Sequence, residues 1–193
     1  MIYICGDSFC CSDENSDIVP WHEQIPYSKS LGEVCASNLL ISLQIDYALA
    51  SDPSFIIVCF TSCTRGEIVR GEEFIPFTRT NTIGDRLTRA ERIAVDLHTK
   101  HIHNLGLEIY RNRCIIESAL QKLVNSNVPF LFDQGGFEYK QERKYFQEYN
   151  KHRSKYCLWD YGDTVDKSPM FQITDQNIHN QLADYYATNC TRI

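Results

Sequence analysis

Ile2-Tyr3-Ile4-Cys5-Gly6-Asp7-Ser8 opens the chain with four apolar residues that stop at a glycine. A short apolar run bounded in this way reads as a strand buried on both faces. Working outward, the stretch from Ser37 to Ala50 carries apolar residues at 39, 40, 43, 45, 48 and 49. That is a helical spacing, and Ser37 or Asn38 can cap its start. Pro53 and Ser54 then break the chain, and Phe55-Ile56-Ile57-Val58-Cys59-Phe60 follows as a second uninterrupted apolar strand. Strand, helix, strand in this order predicts an α/β fold with a short parallel sheet and helices on both faces, a three-layer sandwich of flavodoxin-like type.

The rest of the chain extends that pattern. Residues 64–84 have weak periodicity and contain Gly66, Gly71, Pro76 and Gly84, so an excursion or lid is expected there. A long helical stretch is expected from Thr88 to Asn125, broken near Gly106. Val128-Pro129-Phe130-Leu131-Phe132 reads as a further buried strand, with Gln134-Gly135-Gly136 as a loop at its carboxyl end. A polar, aromatic-bearing helix is expected over 139–152, a short strand over Tyr156-Cys157-Leu158-Trp159, and a closing helix from Asp175 to Ala187. The whole of 1–193 is read as one domain, with no internal repeat and no low-complexity tract.

Composition narrows the function classes. The chain has 193 residues, 43% hydrophobic and 12% aromatic, which is too apolar for a disordered chain and long enough for a sizeable core. No apolar run approaches the roughly 20 residues that cross a bilayer, so no membrane partner is expected. The first residues lack a basic segment and reach an acid at Asp7, unlike a secretory signal. Nine cysteines in such a chain point to reduced thiols and a cytoplasmic setting. The net charge is −6, and residues 1–60 hold Lys29 as their one base. Nucleic acid is not expected as the main ligand, because such binding rests on phosphate neutralisation. The six bases Lys140, Arg143, Lys144, Lys151, Arg153 and Lys155 read as a solvated helix face or a patch for an anionic partner.

The chemistry-bearing segments fall at strand ends. Gly6-Asp7-Ser8 directly follows the first strand, and in an open α/β sheet ligands sit outside the carboxyl ends of strands. Gly6 permits a tight turn, and Ser8 is placed near free N–H groups that favour a developing negative charge. The same tripeptide also reads as a plain turn with Asp7 or Ser8 as a cap. Leu31 to Asn38, Phe60 to Arg65 and Phe132 to Gly136 each place further polar groups at that edge.

The sequence resembles the SGNH (GDSL-type) hydrolases, especially the small, degenerate members encoded by tailed bacteriophages. Tyr3-Ile4-Cys5-Gly6-Asp7-Ser8-Phe9 is similar to the first block of that family. Cys35-Ala36-Ser37-Asn38 running into Leu39 is similar to the second, Val58 to Ser62 stands where the third is expected, and Ile173-Thr174-Asp175-Gln176 resembles the region of the fourth. The resemblance implies Ser8 as the nucleophile. It implies an oxyanion hole from the backbone N–H groups of Ser8 and Cys35 and a side chain at the position of Thr61, where the family usually has asparagine. Cys35 stands where glycine is usual. The family's Asp-x-x-His pair has no counterpart, and His179, four residues after Asp175, is the candidate base. Asp7, Asn38 and Arg65 are the implied substrate-binding residues. No cofactor is implied.

Other groupings are weaker. His98, His101 and His103 lie close together, and 98 and 101 share a helix face that suits a metal or plain solvation; no metal site is assigned. Arg86, Arg89 and Arg92 form a stripe interleaved with acids. Asp160, Asp163 and Asp166 read as a solvated loop or as orienters of a base. Three functions follow: a serine esterase or deacetylase acting on a small-molecule ester or acylated sugar; a pseudo-hydrolase that binds without turnover; or a phage protein that contacts a host protein or a second copy of itself.

Overall fold

The computed structural model describes residues 1–12, 17–78, 87–135, 145–164 and 171–191. Its centre is a sheet of four strands, β1 (Ile2–Cys5), β2 (Ser28–Ser30), β3 (Phe55–Cys59) and β6 (Phe130–Asp133), in the order β2-β1-β3-β6. Every pair is parallel, with Ile4 opposite Ser30 on one side and Ile57 on the other, and Ile57 opposite Leu131. Such a sheet must be covered on both faces, and alternate side chains of each strand serve the two faces. Tyr3, Cys5, Ile56, Val58, Phe130 and Phe132 point to one layer, where they meet α1 (Asn38–Ala50) and α3 (Leu105–Ser126). Ile4, Phe55, Ile57, Cys59 and Leu131 point to the other, against Trp21 and α4 (Gln176–Cys190). The chain is thus mixed α/β, with helices on both faces of a parallel sheet.

Local chemistry sets the helix ends. The Ser37 hydroxyl accepts from the Leu40 N–H at the start of α1, and Asp175 caps α4 through the Asn177 N–H. The expected long helix is two helices, α2 (Arg89–His101) and α3. The break falls at 102–104, just ahead of Gly106, because Asn104 caps α3 through the Leu107 N–H. Thr88 and Glu91 form a capping box at the start of α2.

The excursion after β3 is a hairpin of β4 (Arg65–Arg70) and β5 (Glu73–Thr78), turned at Gly71, whose φ of 62° lies in the left-handed region. It rests on α2 through Ile75 and Val95, and Arg70 reaches Glu91 at 2.6 Å. Residues 79–84 of the excursion, 139–144 of the expected helix, and Arg86, Gly136 and Asp166 lie outside the described residues.

Two expectations are corrected. The described end of the helix expected over 139–152 is a turn followed by a 3-10 segment, Gln147–His152, entered through Phe146 at a φ of 62°. A residue in the left-handed region cannot continue a helix from the preceding turn. The strand expected over 156–159 is instead a 3-10 turn, Leu158–Tyr161, tied down where the Leu158 N–H donates to Asp133. The pairing seen nearby is β7 (Asp163–Thr164) with β8 (Phe171–Gln172), antiparallel. Among the described residues no helix is long and apolar enough to cross a membrane.

Candidate functional site

In this strand order the chain leaves β1 toward β2 on one side and β3 toward β6 on the other, so the connections diverge at the carboxyl ends of β1 and β3, the place where open α/β sheets form a ligand crevice. The loops carrying Ser8 and Thr61 border it.

Gly6 ends β1 in a crowded place. A Cβ there would lie 2.5 Å from Cys10 Sγ, so only glycine fits. Its backbone is bound on both sides by the Gln44 amide of α1, which accepts from the Gly6 N–H at 2.7 Å and donates to the Gly6 carbonyl at 3.2 Å. Asp7 then caps a 3-10 turn, Ser8–Cys10, with Oδ1 accepting from the Phe9 N–H. Its other oxygen takes the Thr61 hydroxyl at 2.7 Å and the Arg65 guanidinium at 3.0 Å. Asp7 is 1% exposed, and its buried carboxylate is held by two hydrogen-bond donors and the Arg65 charge, which together fasten the ends of β1 and β3.

A second knot lies behind the first. Asn38 is fully buried at the start of α1. Its amide accepts from the Thr61 N–H at 2.8 Å, and donates to the Thr61 carbonyl at 2.9 Å and to Asn112 Oδ1 at 2.8 Å. Asn112 belongs to α3 and donates in turn to the Glu108 carbonyl at 2.9 Å. Asp7, Asn38, Thr61 and Arg65 therefore form one network, joined by Gln44 and Asn112, two residues that the motifs do not reveal. Asn112 is legible only as a polar break in the buried face of α3, which otherwise reads Ile116, Ala119, Leu120, Leu123.

The network changes the roles implied by the resemblance. The one hydroxyl proton of Thr61 goes to Asp7, so it is not held toward the crevice as an oxyanion donor. The polar atoms of Asp7 and Asn38 are engaged inside the protein. Cys35 does adopt a φ of 64°, the left-handed conformation that glycine takes most easily. Ser8 begins the 3-10 turn and is 7% exposed.

His179 lies on the buried side of α4, where its ring is fixed by backbone on both sides. Nδ1 accepts from the Trp21 N–H at 3.1 Å. A neutral ring then carries its proton on Nε2, which donates to the Ile173 carbonyl at 3.2 Å. Burial pushes its pKa down, which favours that neutral form. Trp21 is fully buried, and its indole N–H donates to the Phe9 carbonyl, so His179 braces the back of the Ser8 turn through Trp21. Both ring nitrogens of His179, the candidate base for Ser8, are thus committed to the main chain. All six histidines lie among the described residues, and none is hydrogen bonded to the Ser8 hydroxyl. Asp175, four residues before His179, caps α4.

At the carboxyl end of β6, Asp133 accepts from the N–H groups of Gly135 and Leu158, fixing the loop. Gly135 has a φ of 50°, and a Cβ there would lie 1.9 Å from the Phe60 carbonyl oxygen. Gln134 between them is 2% exposed, and both polar atoms of its amide lack a partner. Among the described residues no three His, Cys, Asp or Glu side chains converge to hold a metal. The nine cysteines form no disulfide; burial drives the Cys5 thiol up, and a hydrogen bond with Cys59, followed by burial, drives up that of Cys10. No protein-family model matches the chain, and no curated protein matches it in sequence.

Proposed function

We propose that this chain is a catalytically silent relative of the SGNH hydrolases, a domain that binds a ligand at the carboxyl edge of its sheet without turning it over. The observation that carries this reading is His179, whose two ring nitrogens are taken by the Trp21 N–H and the Ile173 carbonyl. A serine hydroxyl is a weak nucleophile until a base removes its proton, and positioned proton transfer supplies about 10²–10⁴ in rate. The buried, unpartnered amide of Gln134 supports a binding role, because such a group costs free energy until a ligand satisfies it. The resemblance gives an ester or acylated sugar as the ligand class, and the free thiols accord with a reducing cytoplasm, that of the host for a phage-encoded protein.

The second reading is a working esterase that uses Ser8. The left-handed Cys35 favours it, because that is the conformation a glycine takes most easily and glycine is usual at this point of the second block. Incubation with a broad fluorophosphonate followed by peptide mass mapping separates the two. The silent reading predicts no labelling of Ser8 beyond that of other serines. Rapid labelling of Ser8, with ester turnover abolished in Ser8→Ala, would establish the enzyme.

A further inference from the structure

On the far side of Arg65, the β4–β5 hairpin, α2 and α3 enclose a cavity of about 670 Å³. That volume is in the range of small-molecule sites. Ile68, Phe77, Val95, Ile102 and Ile115 give it apolar walls. Its polar end holds Glu67, with Ser37, Asn112 and Arg111 nearby. The charges there are unequal. Arg65 is paired with Asp7 at 3.0 Å, and Arg111 with Glu108 at 3.3 Å. Among the described residues Glu67 makes no ion pair; the Ser37 hydroxyl and the Arg111 charge act on its carboxylate, but its Oε2 is buried without a hydrogen-bond partner. His103 Nε2, also lining the cavity, is buried and unpartnered as well.

We propose that this cavity binds a primary-amine amphiphile, an ammonium head on an alkyl or aryl body, with Glu67 as its counter-ion. An ammonium brings three donors and a positive charge, and a buried carboxylate oxygen accepts such a donor in a short, charge-assisted bond. Burial raises the Glu67 pKa by more than the Ser37 hydroxyl and the Arg111 charge lower it, so a further cation beside the carboxylate would stabilise its charged form. A carboxylate or phosphate ligand would instead set a second negative charge beside Glu67 in a region of low dielectric. An alcohol of the same length would gain one hydrogen bond to the carboxylate but bring no positive charge to it. The apolar walls take the ligand body, whose methylenes leave water on binding. The site is separate from Ser8 and stands whether or not Ser8 acts on a substrate.

The test is calorimetric titration of the full chain with n-octylamine, n-octanol and n-octanoate. The expected result is saturable octylamine binding at one site, with octanoate weaker by about tenfold or more. Glu67→Gln should cut octylamine affinity by about tenfold and leave octanol within about threefold. In the unaltered protein, octylamine should shift the methyl resonances of Ile68, Ile102 and Ile115, which reports the site even where Glu67→Gln fails to fold. Ser8→Ala should bind octylamine as the native chain does. Octylamine binding weaker than about 1 mM, octanoate binding as tight as octylamine, or shifts confined to other residues would each overturn the proposal.

Discussion

Replacing Asn38 by alanine removes three hydrogen bonds from a fully buried site: those with the Thr61 N–H, the Thr61 carbonyl and Asn112. Alanine is a good residue at the start of a helix, so α1 itself should be unharmed. Three buried bonds at about 1 kcal/mol each give a loss of about 3 kcal/mol, more where the Thr61 backbone stays unsatisfied. For a urea slope of about 2 kcal/mol/M the midpoint should fall by about 1.5 M with the slope unchanged. Asn38→Asp keeps the shape but turns the donor atom into an acceptor facing two oxygens, so it should cost at least as much at neutral pH. Combining Asn38→Ala with Asn112→Ala should give a coupling of about 0.5–3 kcal/mol, because the second change removes a partner already lost. A loss under about 1 kcal/mol for Asn38→Ala, or strict additivity with Asn112→Ala, would refute the claim that this amide knits β3, α1 and α3 together.

Backbone geometry makes a paired prediction. Gly135→Ala should cost about 3 kcal/mol or more in urea unfolding, because its Cβ would meet the Phe60 carbonyl, whereas Gly71→Ala, with φ of 62° but open space, should cost about 1 kcal/mol. Burial lowers the pKa of His179, His22 and His152, so the unfolded chain takes up more protons below the ordinary imidazole range and stability should fall as pH drops through about 6. Glu67, raised by burial, opposes this, so the measurement is the difference between the native chain and His179→Gln, whose stability should depend less steeply on pH; an equal or steeper dependence would contradict the assignment. With iodoacetamide, exposed Cys114 should react first. Cys11, its thiol pushed up to about 12, and buried Cys5, Cys10 and Cys59 should wait for denaturant; native labelling of Cys10 as fast as Cys114 would disprove their packing.

Continuous apolar runs were enough to locate β1, β3 and β6, because strands covered on both faces have no polar side to interrupt them. β2 escaped that signal: Ser28-Lys29-Ser30 lies at the sheet edge and needs only its backbone to pair with β1. The β4–β5 hairpin was masked by Pro76, a residue admitted here because a two-stranded ribbon has only edge strands. Its signal was Gly71-Glu72, a two-residue turn with glycine first, between two runs of strand length. Tyr156 to Trp159 looked like a strand because it is apolar, but apolarity marks burial: Leu158 packs beneath α4 within a 3-10 turn. At the site, Asp7, Thr61 and Arg65 could be placed at one sheet edge from the strand ends alone. The partners Gln44 and Asn112 could not, being brought in by helices 38 and 74 residues away from the groups they bind. His179 shows the limit most clearly. Its spacing from Asp175 fits a helix face, yet the direction of the ring is decided by Trp21, which is 158 residues distant.

The tautomer of His179 tests the central claim most directly. In a long-range ¹⁵N–¹H correlation spectrum at neutral pH, the ring should appear neutral with its proton on Nε2, and Nδ1 should show the shift of a bare, hydrogen-bonded nitrogen. That pattern should be the same in Ser8→Ala. A proton on Nδ1, or a shift in Nε2 on removal of the Ser8 hydroxyl, would place the imidazole against Ser8 and contradict the account.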